Sequence, residues 1–249
     1  MPHLVRKPAV VGSFYPADRQ TLAAQVHGYV DSAPAKARLR PKALIVPHAG
    51  YPYSGPVAGS AYRLLVPFAG DIKKVVLLGP AHRVAIQGLA LSSADKFATP
   101  LGEVSLDTEA TATLARLPFA GYSDLAHAQE HSLEVQLPFL QELLPSFELL
   151  PIVCGSASAD MVAAALERVW GGPETLILVS SDLSHYYDYE TARRLDGSSS
   201  RAIEEMNFDL LSQDSACGLV PLRGLLQVAR ARGMSVTTLD LRNLSLIHI

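Results

Sequence analysis

The stretch KALIVPHAGYPYSG, residues 42–55, decides the fold. Its apolar run Ala43–Val46 is typical of a buried strand, which the following proline ends. His48 comes next, then a glycine turn, an aromatic pair and Ser54 as the predicted N-cap of a helix. Open α/β folds bind ligands at the carboxyl ends of their strands, so His48 is predicted to lie at a binding site.

The same pattern recurs twice along the chain. KKVVLLGPAH (73–82) ends on His82, and TLILVSSDLSH (175–185) ends on Asp182 and His185. A further apolar run, FELLPIVCG (147–155), also reads as a buried strand. Near-continuous apolar strands that alternate with helices predict an α/β fold with a mostly parallel sheet flanked by helices on both faces.

The remaining elements follow from periodicity and capping residues. GLALS (88–92) predicts an additional strand, and KFATPLGEVSLD (96–107) predicts a hairpin that makes the strand arrangement partly mixed. Asp18 and Asp107 are predicted helix N-caps. The other predicted helices run from Ser54 through Leu65, after Ser132 as N-cap, over Ala159–Trp170, and over Tyr189–Asn207 with a break at 197–200. Pro138 is predicted to bend the helix capped by Ser132 or to restrict it to a short first segment. A further helix carries Cys217 in its first turn, and 235–243 is predicted to be a final alternating strand.

Composition bounds the class of protein. Hydrophobic residues make up 49% of the 249 residues and charged residues 18%, which indicates one large folded domain rather than disorder. The formal net charge is −3 and no basic stripe occurs, so a nucleic-acid partner is not expected. No apolar run is long enough to span a bilayer, and no signal peptide is evident, so a cytoplasmic location without membrane partners is predicted.

Several side chains suit metal chemistry. Neutral imidazole is the commonest protein ligand for metals, and two histidines need an anionic partner to complete a facial site. Asp182 and Cys217 are both candidates for that anion. Asp182 follows a strand, as the two histidines do, and the helix dipole favours the thiolate of a cysteine in the first turn of a helix. Cys154 lies inside an apolar strand and reads as a core residue, and the two cysteines are not expected to pair.

The segment HAQEH (127–131) matches the inverted zinc-protease motif H-x-x-E-H. That chemistry needs both histidines on one continuous helix, whereas the amphipathic pattern begins only after His131, so the motif is disfavoured. His131 and Glu134 are instead predicted to project into the pocket. Tyr51, Tyr53, Tyr186, Tyr187 and Tyr189 cluster beside the candidate site residues, and either core packing or an aromatic pocket wall accounts for them. No nucleophile elbow, P-loop or dinucleotide fingerprint is present.

Long motifs carry a resemblance to a known family. PAVVGSFYPAD, ALIVPHAGYPYSGPVA, VVLLGPAHRV, FATPLGEV, AHAQEHSLEVQLPFLQ and VSSDLSHYYDYETARRLD resemble the Memo family, whose bacterial and archaeal members are called AmmeMemoRadiSam system protein B. The resemblance covers almost all of residues 8–243. It implies a fold similar to the class III extradiol dioxygenases, which use non-haem Fe(II).

The resemblance also implies roles for individual residues. PHAGY makes His48 a metal ligand, GPAHR makes His82 a ligand, and the ACG segment makes Cys217 the third. His185 matches the acid/base histidine of the dioxygenases, with Asp182 beside it as a catalytic residue. A thiolate in place of the dioxygenase carboxylate argues against ring cleavage and favours other redox chemistry with Fe(II) or Cu.

Alternatives to an enzyme remain open. The family name reflects genomic association with a radical-SAM protein and an AMMECR1-domain protein, which implies partner proteins. The same pocket fits a non-enzymatic module that binds a peptide or protein, and the chain also fits an assembly subunit of the radical-SAM partner.

The last six residues, Leu244–Ile249, read LSLIHI and back-translate into a transposon end used in sequencing adapters. They are expected to be non-native, so the single domain is predicted to span residues 1–243 and to lack its natural C-terminal end. An ordinary apolar tail is the alternative.

Overall fold

The strands and helices are defined for residues 4–34, 40–212 and 214–243, which the computed structural model describes. The predicted non-native tail lies outside these residues. The strands are β1 (Val5–Arg6), β2 (Ala43–Val46), β3 (Lys74–Pro80), β4 (Leu89–Leu91), β5 (Lys96–Thr99), β6 (Gly102–Ser105), β7 (Ala120–Tyr122), β8 (Glu148–Cys154) and β9 (Thr175–Ser180). The helices are α1 (Arg19–Ser32), α2 (Tyr51–Tyr62), α3 (Thr108–Leu114), α4 (Asp124–Ala128), α5 (His131–Glu134), α6 (Leu137–Leu143), α7 (Ala159–Val169), α8 (Tyr189–Glu204) and α9 (Leu219–Ala231), with 3-10 helices at Arg63–Phe68 and Phe208–Leu210.

The main sheet has the strand order β2-β9-β3-β8-β4-β7. Strands β2, β9, β3 and β8 run parallel to one another, whereas β4 runs antiparallel to β8 and parallel to β7. A smaller sheet has the order β1-β5-β6, in which β5 and β6 form the predicted hairpin. The predicted mostly parallel, partly mixed sheet is therefore confirmed.

Both faces of the main sheet are buried, as continuous apolar strands require. Along β3, Val75 and Leu77 pack into the cluster that contains residues of α1, α2 and α6. Val76 and Leu78 point to the opposite face and join the cluster built with α7 and α9. Alternate residues of β3 thus pack into one or the other of two hydrophobic cores. A shift of register by one residue would exchange these two sets, so the packing fixes the register.

Two predicted helix caps are confirmed. The Asp18 carboxylate accepts the amide of Thr21 at 2.8 Å, and the Asp107 carboxylate accepts the amide of Ala110 at 2.9 Å. Helix α2, however, begins at Tyr51 with Gly50 as its N-cap, so the prediction that Ser54 caps it is wrong. Pro52 in the first turn presets helical backbone angles, and the Ser54 hydroxyl donates to the Ala49 carbonyl instead.

Three further predictions about elements are wrong. Glu130, not Ser132, caps α5 by accepting the Ser132 amide. Helix α8 continues through 197–200, because one helical glycine costs only about 1 kcal/mol, which the packing of the helix offsets. The segment 235–243 forms no strand. Its polar groups bond to side chains instead, as when the amide of Thr238 donates to Glu204.

Among the described residues, no helix combines the length and the apolar composition that crossing a bilayer requires.

His127 is a buried histidine between the two sheets. Its side chain stands edge-on to Phe97, and Nε2 donates to the carbonyl of Ala90 at 3.0 Å. Burial is the main reason that the pKa of His127 falls to about 4, and the nearby Arg6 guanidinium lowers it further. An unfolded histidine titrates near pH 6.5, so the unfolded chain binds a proton first as pH falls.

We therefore expect part of the stability of the protein to be lost between pH 6.5 and 4. The contribution of His127 to the free energy of unfolding is at most about 3 kcal/mol. His127→Gln keeps a donor for Ala90 but has no proton to gain, so urea unfolding from pH 7 to pH 4.5 should show a shallower decline than in the wild type. The exposed His27→Gln variant is the control and should retain the wild-type decline. Equal pH dependence in wild type and His127→Gln would contradict this assignment.

Candidate metal centre

The carboxyl ends of β2, β9 and β3 meet at one edge of the main sheet. Val46 is opposite Ser180 in the ladder, and Leu78 is opposite Val179. The turns that follow these strands carry His48, His82 and Asp182. The parallel arrangement thus brings together side chains that are far apart in sequence.

The tautomer of His48 follows from its hydrogen bonds. Nδ1 lies 2.9 Å from the Ser180 hydroxyl. That hydroxyl donates its one proton to the carbonyl of Ser132 at 2.6 Å and accepts the amide of Gln136 at 2.9 Å. Nδ1 must therefore carry the proton and donate to Ser180, because the hydroxyl has no second proton to give. Neutral His48 consequently presents an unprotonated Nε2.

Gln136 is itself fixed in orientation. Its Nε2 also donates to the carbonyl of Pro47 at 2.9 Å, and its Oε1 accepts the hydroxyl of Tyr62 at 2.9 Å. Because the Pro47 carbonyl is only an acceptor, the amide cannot be flipped. A fully buried chain from Tyr62 to His48 thus holds the imidazole in place.

Glu130 holds His82 in the same way. Its carboxylate accepts the backbone amide of His82 at 2.7 Å and Nδ1 at 2.9 Å, which leaves Nε2 of His82 available. Burial alone would raise the pKa of Glu130, but hydrogen bonds from His82 and from the Ser132 amide lower it to about 2. Sequence reasoning did not identify Glu130 as a site residue. The available signal was its place in HAQEH, because a carboxylate commonly orients a metal-binding histidine.

The Cys217 thiol lies against both imidazoles. Sγ is 3.2 Å from Nε2 of His48 and accepts the Asp182 amide at 3.3 Å. Burial would raise the pKa of the thiol, but hydrogen bonds from His48, whose Nε2 becomes a donor when the ring takes a second proton, and from His82 lower it to about 6. Burial likewise opposes the charging of His82, whereas its bonds to Cys217 and Glu130 raise its pKa to about 9. In the metal-free protein the site therefore stabilises a thiolate.

Cys217 precedes the helix rather than belonging to its first turn. Helix α9 starts at Leu219 with Gly218 as N-cap, so the predicted position is wrong and the imidazoles, not the helix dipole, account for the acidic thiol. Gly218 permits this arrangement, since a Cβ there would stand 2.6 Å from Cβ of Ser181 and 2.8 Å from the carbonyl of Ser180. The missing side chain allows the cysteine to lie directly on the end of β9.

Asp182 links two histidines. One carboxylate oxygen accepts the His48 amide at 2.7 Å, and the other lies 3.8 Å from Nε2 of His48 and 4.0 Å from Nε2 of His185. The His185 side chain is 45% exposed, so it stands between the site and solvent. These positions suit the acid/base role predicted for the pair, which stays a prediction.

His131 is the fourth histidine of the cluster. Its ring lies nearly parallel to that of His82 and edge-on to that of His48, with centroids 4.7 and 5.5 Å away. Burial lowers the pKa of His131 to about 4, so the ring is neutral at pH 7. Among the described residues, two triads have ligand atoms that all lie within 4.8 Å of one another: His48, His82 and His131, and His48, Asp182 and Cys217.

The donor set and spacing fit a metal ion. At usual bond lengths, nitrogen and sulfur ligands lie about 3.1 Å apart at a right angle and about 3.6 Å apart at the tetrahedral angle. The observed 3.2 Å between His48 Nε2 and Cys217 Sγ falls within that range. The free Nε2 of His82 faces the same thiolate. These residues thus make a His/His/Cys-type site possible.

The other predicted pocket residues are placed differently. Tyr51 is buried in the core and its hydroxyl donates to the Val135 carbonyl at 2.7 Å. Glu134 is also buried, paired with Arg6 and bonded to the hydroxyl of Tyr15 at 2.5 Å. Both side chains are therefore part of the core: core packing accounts for Tyr51, and Glu134 does not project into a pocket as expected. Tyr186 is fully exposed, with a left-handed φ of 63°.

A cleft of about 340 Å³ opens beside the thiolate. Its lining carries no basic or carboxylate side chain, and Tyr51, His131, Glu134 and Tyr186 do not line it. The lining residues are Pro80, Ala81, Ala85, Ile86, Gln87, Cys154, Gly155, Ser156, Ala216, Cys217, Leu219 and Val220.

The zinc-protease motif is divided between two short helices. His127 lies in α4, which ends at Ala128, and His131 begins α5. Among the described residues, no candidate metal triad contains His127. The prediction that the two histidines do not share one continuous helix is therefore confirmed.

Comparison with known proteins identifies the family. Residues 6–243 match the family model described as Memo-like protein. The chain belongs to the Memo-like family. A MEMO1 family protein of Aquifex aeolicus is 39% identical over 228 residues, which cover 87% of this chain and 83% of that relative. A MEMO1 family protein of Archaeoglobus fulgidus is 34% identical over 247 residues, which cover 95% and 91% of the two chains. The resemblance seen in the motifs of this Memo-like chain is confirmed.

We expect metal-free protein to be alkylated at Cys217 by iodoacetamide with a half-maximal rate near pH 6, because thiolate is the reactive form. His82→Gln removes a hydrogen bond that stabilises the thiolate, so the profile should move to higher pH. Mass spectrometry of the alkylated peptides provides the measurement. Cys154→Ala is the control, since burial raises the pKa of that thiol and makes it unreactive. A half-maximal alkylation rate of wild-type Cys217 at the pH typical of an ordinary cysteine thiol would contradict the assignment.

Proposed function

We propose that this Memo-like chain is a metal-dependent redox enzyme whose ion, Fe(II) or Cu, is held by His48, His82 and Cys217. One observation carries the proposal. Ser180 and Glu130 bind Nδ1 of the two histidines and leave both Nε2 atoms facing a thiol of lowered pKa. Partners that fix the second ring nitrogen are typical of built metal sites.

The donor set favours redox metals. Imidazole binds Fe, Cu and Zn, and a soft thiolate shifts the preference towards Cu(I) and iron relative to a carboxylate ligand. When bound, such an ion would supply Lewis-acid and electron-transfer chemistry beside the cleft. Asp182 would hold the His48 amide and orient the turn, and the half-exposed His185 would carry protons between the site and solvent.

The cleft supports a neutral substrate. It provides about 340 Å³ at the wall formed by Cys217, and its lining has no charge other than the thiolate. Side chains such as Ile86 and Leu219 offer apolar contact to a small aromatic or phenolic group, while Gln87 and Ser156 offer hydrogen bonds. A strongly anionic substrate would find no cationic partner in this lining.

Anaerobic purification followed by elemental analysis tests the metal site. We expect about one equivalent of Fe or Cu in the wild type and a markedly lower content of that ion in Cys217→Ser, because the serine hydroxyl does not replace a thiolate ligand. Cys154→Ala is the matched control and should retain the metal. Wild-type protein without metal, or an unchanged metal content in His48→Ala, would overturn the proposal.

A second candidate, a protein-binding module, is favoured by the surface beside the site. Tyr186, Tyr187 and Tyr189 are exposed, and Tyr186 adopts a left-handed conformation that is unusual for a bulky residue. Exposed aromatic residues are typical of binding surfaces. We propose the radical-SAM and AMMECR1-domain proteins encoded with the family as the partners of this surface.

Co-expression with each of these two partners tests the second candidate. We expect the double variant Tyr186→Ala/Tyr187→Ala to reduce co-purification at least tenfold and to leave the metal content unchanged. Tyr122→Ala removes an exposed tyrosine at the opposite edge of the main sheet and should have no effect. Equal co-purification of the double variant and the wild type would reject the tyrosine surface.

A further inference from the structure

His131 lies beside His48 and His82 but is not a ligand in the proposed His/His/Cys site. Its ring centroid lies 5.5 Å from that of His48 and 4.7 Å from that of His82, while those two are 5.1 Å apart. An imidazole bound at the usual distance has its centroid about 3.2 Å from the metal, so two cis ligands have centroids about 4.5 to 5.2 Å apart. The three rings therefore have nearly the spacing of three ligands on one ion.

The nitrogen atoms of His131 are available. Neither ring nitrogen has a hydrogen-bond partner in the described part of the chain, although Nδ1 is buried there. The nearest carboxylate oxygen to Nδ1 is Oε1 of Glu130 at 3.5 Å, which is beyond a normal hydrogen bond and already occupied by His82 and Ser132. A buried, unsatisfied imidazole nitrogen is costly unless a ligand satisfies it.

The ring is also held rigidly. Phe14 packs against it from the N-terminal segment, with centroids 4.8 Å apart. That segment is fastened to the same short helix by Glu134, which accepts the amides of Ala9 and Val10 at 2.7 and 3.0 Å. Glu134 and the N-terminal segment thus fix the position of His131 without contacting the thiolate.

We infer that the centre contains a second metal position, formed by His48, His82 and His131, that needs no sulfur ligand. The inference rests on the proposed function in one respect: both require that His48 and His82 are metal ligands. An all-imidazole site suits divalent Zn, Co, Ni and Cu. The two positions are alternatives, because His48 contributes the same Nε2 to both.

Cobalt titration tests the second position, since Co²⁺ gives ligand-field bands and, with a thiolate, a sulfur-to-cobalt charge-transfer band. We expect Cys217→Ser to bind one Co²⁺ without the charge-transfer band. The double variant Cys217→Ser/His131→Gln should bind at least tenfold more weakly. Cys217→Ser/His27→Gln, which removes an exposed histidine, should match Cys217→Ser. Equal affinities of Cys217→Ser and Cys217→Ser/His131→Gln, or no binding by Cys217→Ser, would overturn the inference.

A second measurement does not depend on folding of the His131 variant. In Cys217→Ser loaded with Cu²⁺, pulsed electron paramagnetic resonance should show three coupled imidazoles, and a count of two would overturn the inference. Failure of the proposed function gives a different result. Wild-type protein that binds Co²⁺ without a charge-transfer band would reject Cys217 as a ligand and leave the three-histidine position standing.

Discussion

The single proton of the Ser180 hydroxyl determines the chemistry of the centre. Because that proton goes to the carbonyl of Ser132, His48 must donate from Nδ1 and expose a basic Nε2. The same hydroxyl joins the end of β9 to α5, and through Gln136 to the loop after β2. The buried Ser180 hydroxyl therefore determines the tautomer of His48. Its hydrogen bonds also connect β9, α5 and the loop after β2.

The sequence predicts those parts of the site that follow from strand order. His48, His82 and Asp182 each follow an apolar strand, and parallel strands bring their carboxyl ends together, so their convergence is a consequence of the fold. Cys217 precedes a helix near the end of the chain, and only the family resemblance selected it over other anions. Glu130 was missed because its partner, His82, lies 48 residues away.

The wrong predictions about helix starts and about the last strand have two causes. Ser54 and Ser132 satisfy local capping rules, but Pro52 and the buried carboxylate of Glu130 start their helices earlier. The segment 235–243 has the alternation of a strand, yet side chains of neighbouring helices satisfy its polar groups. Capping rules applied to one residue at a time miss a competing neighbour two positions earlier, and a local pattern cannot register the distant partners of 235–243. The long apolar strands were predicted well because their burial leaves little choice.

The wide spacing of the ligands bears on biosynthesis. His48 and Cys217 are 169 positions apart, so the imidazole leaves the ribosome long before the thiol is made. A nascent chain that ends before Cys217 has the three histidines but no thiolate, and the sulfur-containing arrangement forms only when Cys217 lies against the end of β9. Under the proposed function, an ion held by the thiolate would therefore be acquired only after Cys217 has been made, whereas the imidazoles of His48 and His82 are available earlier.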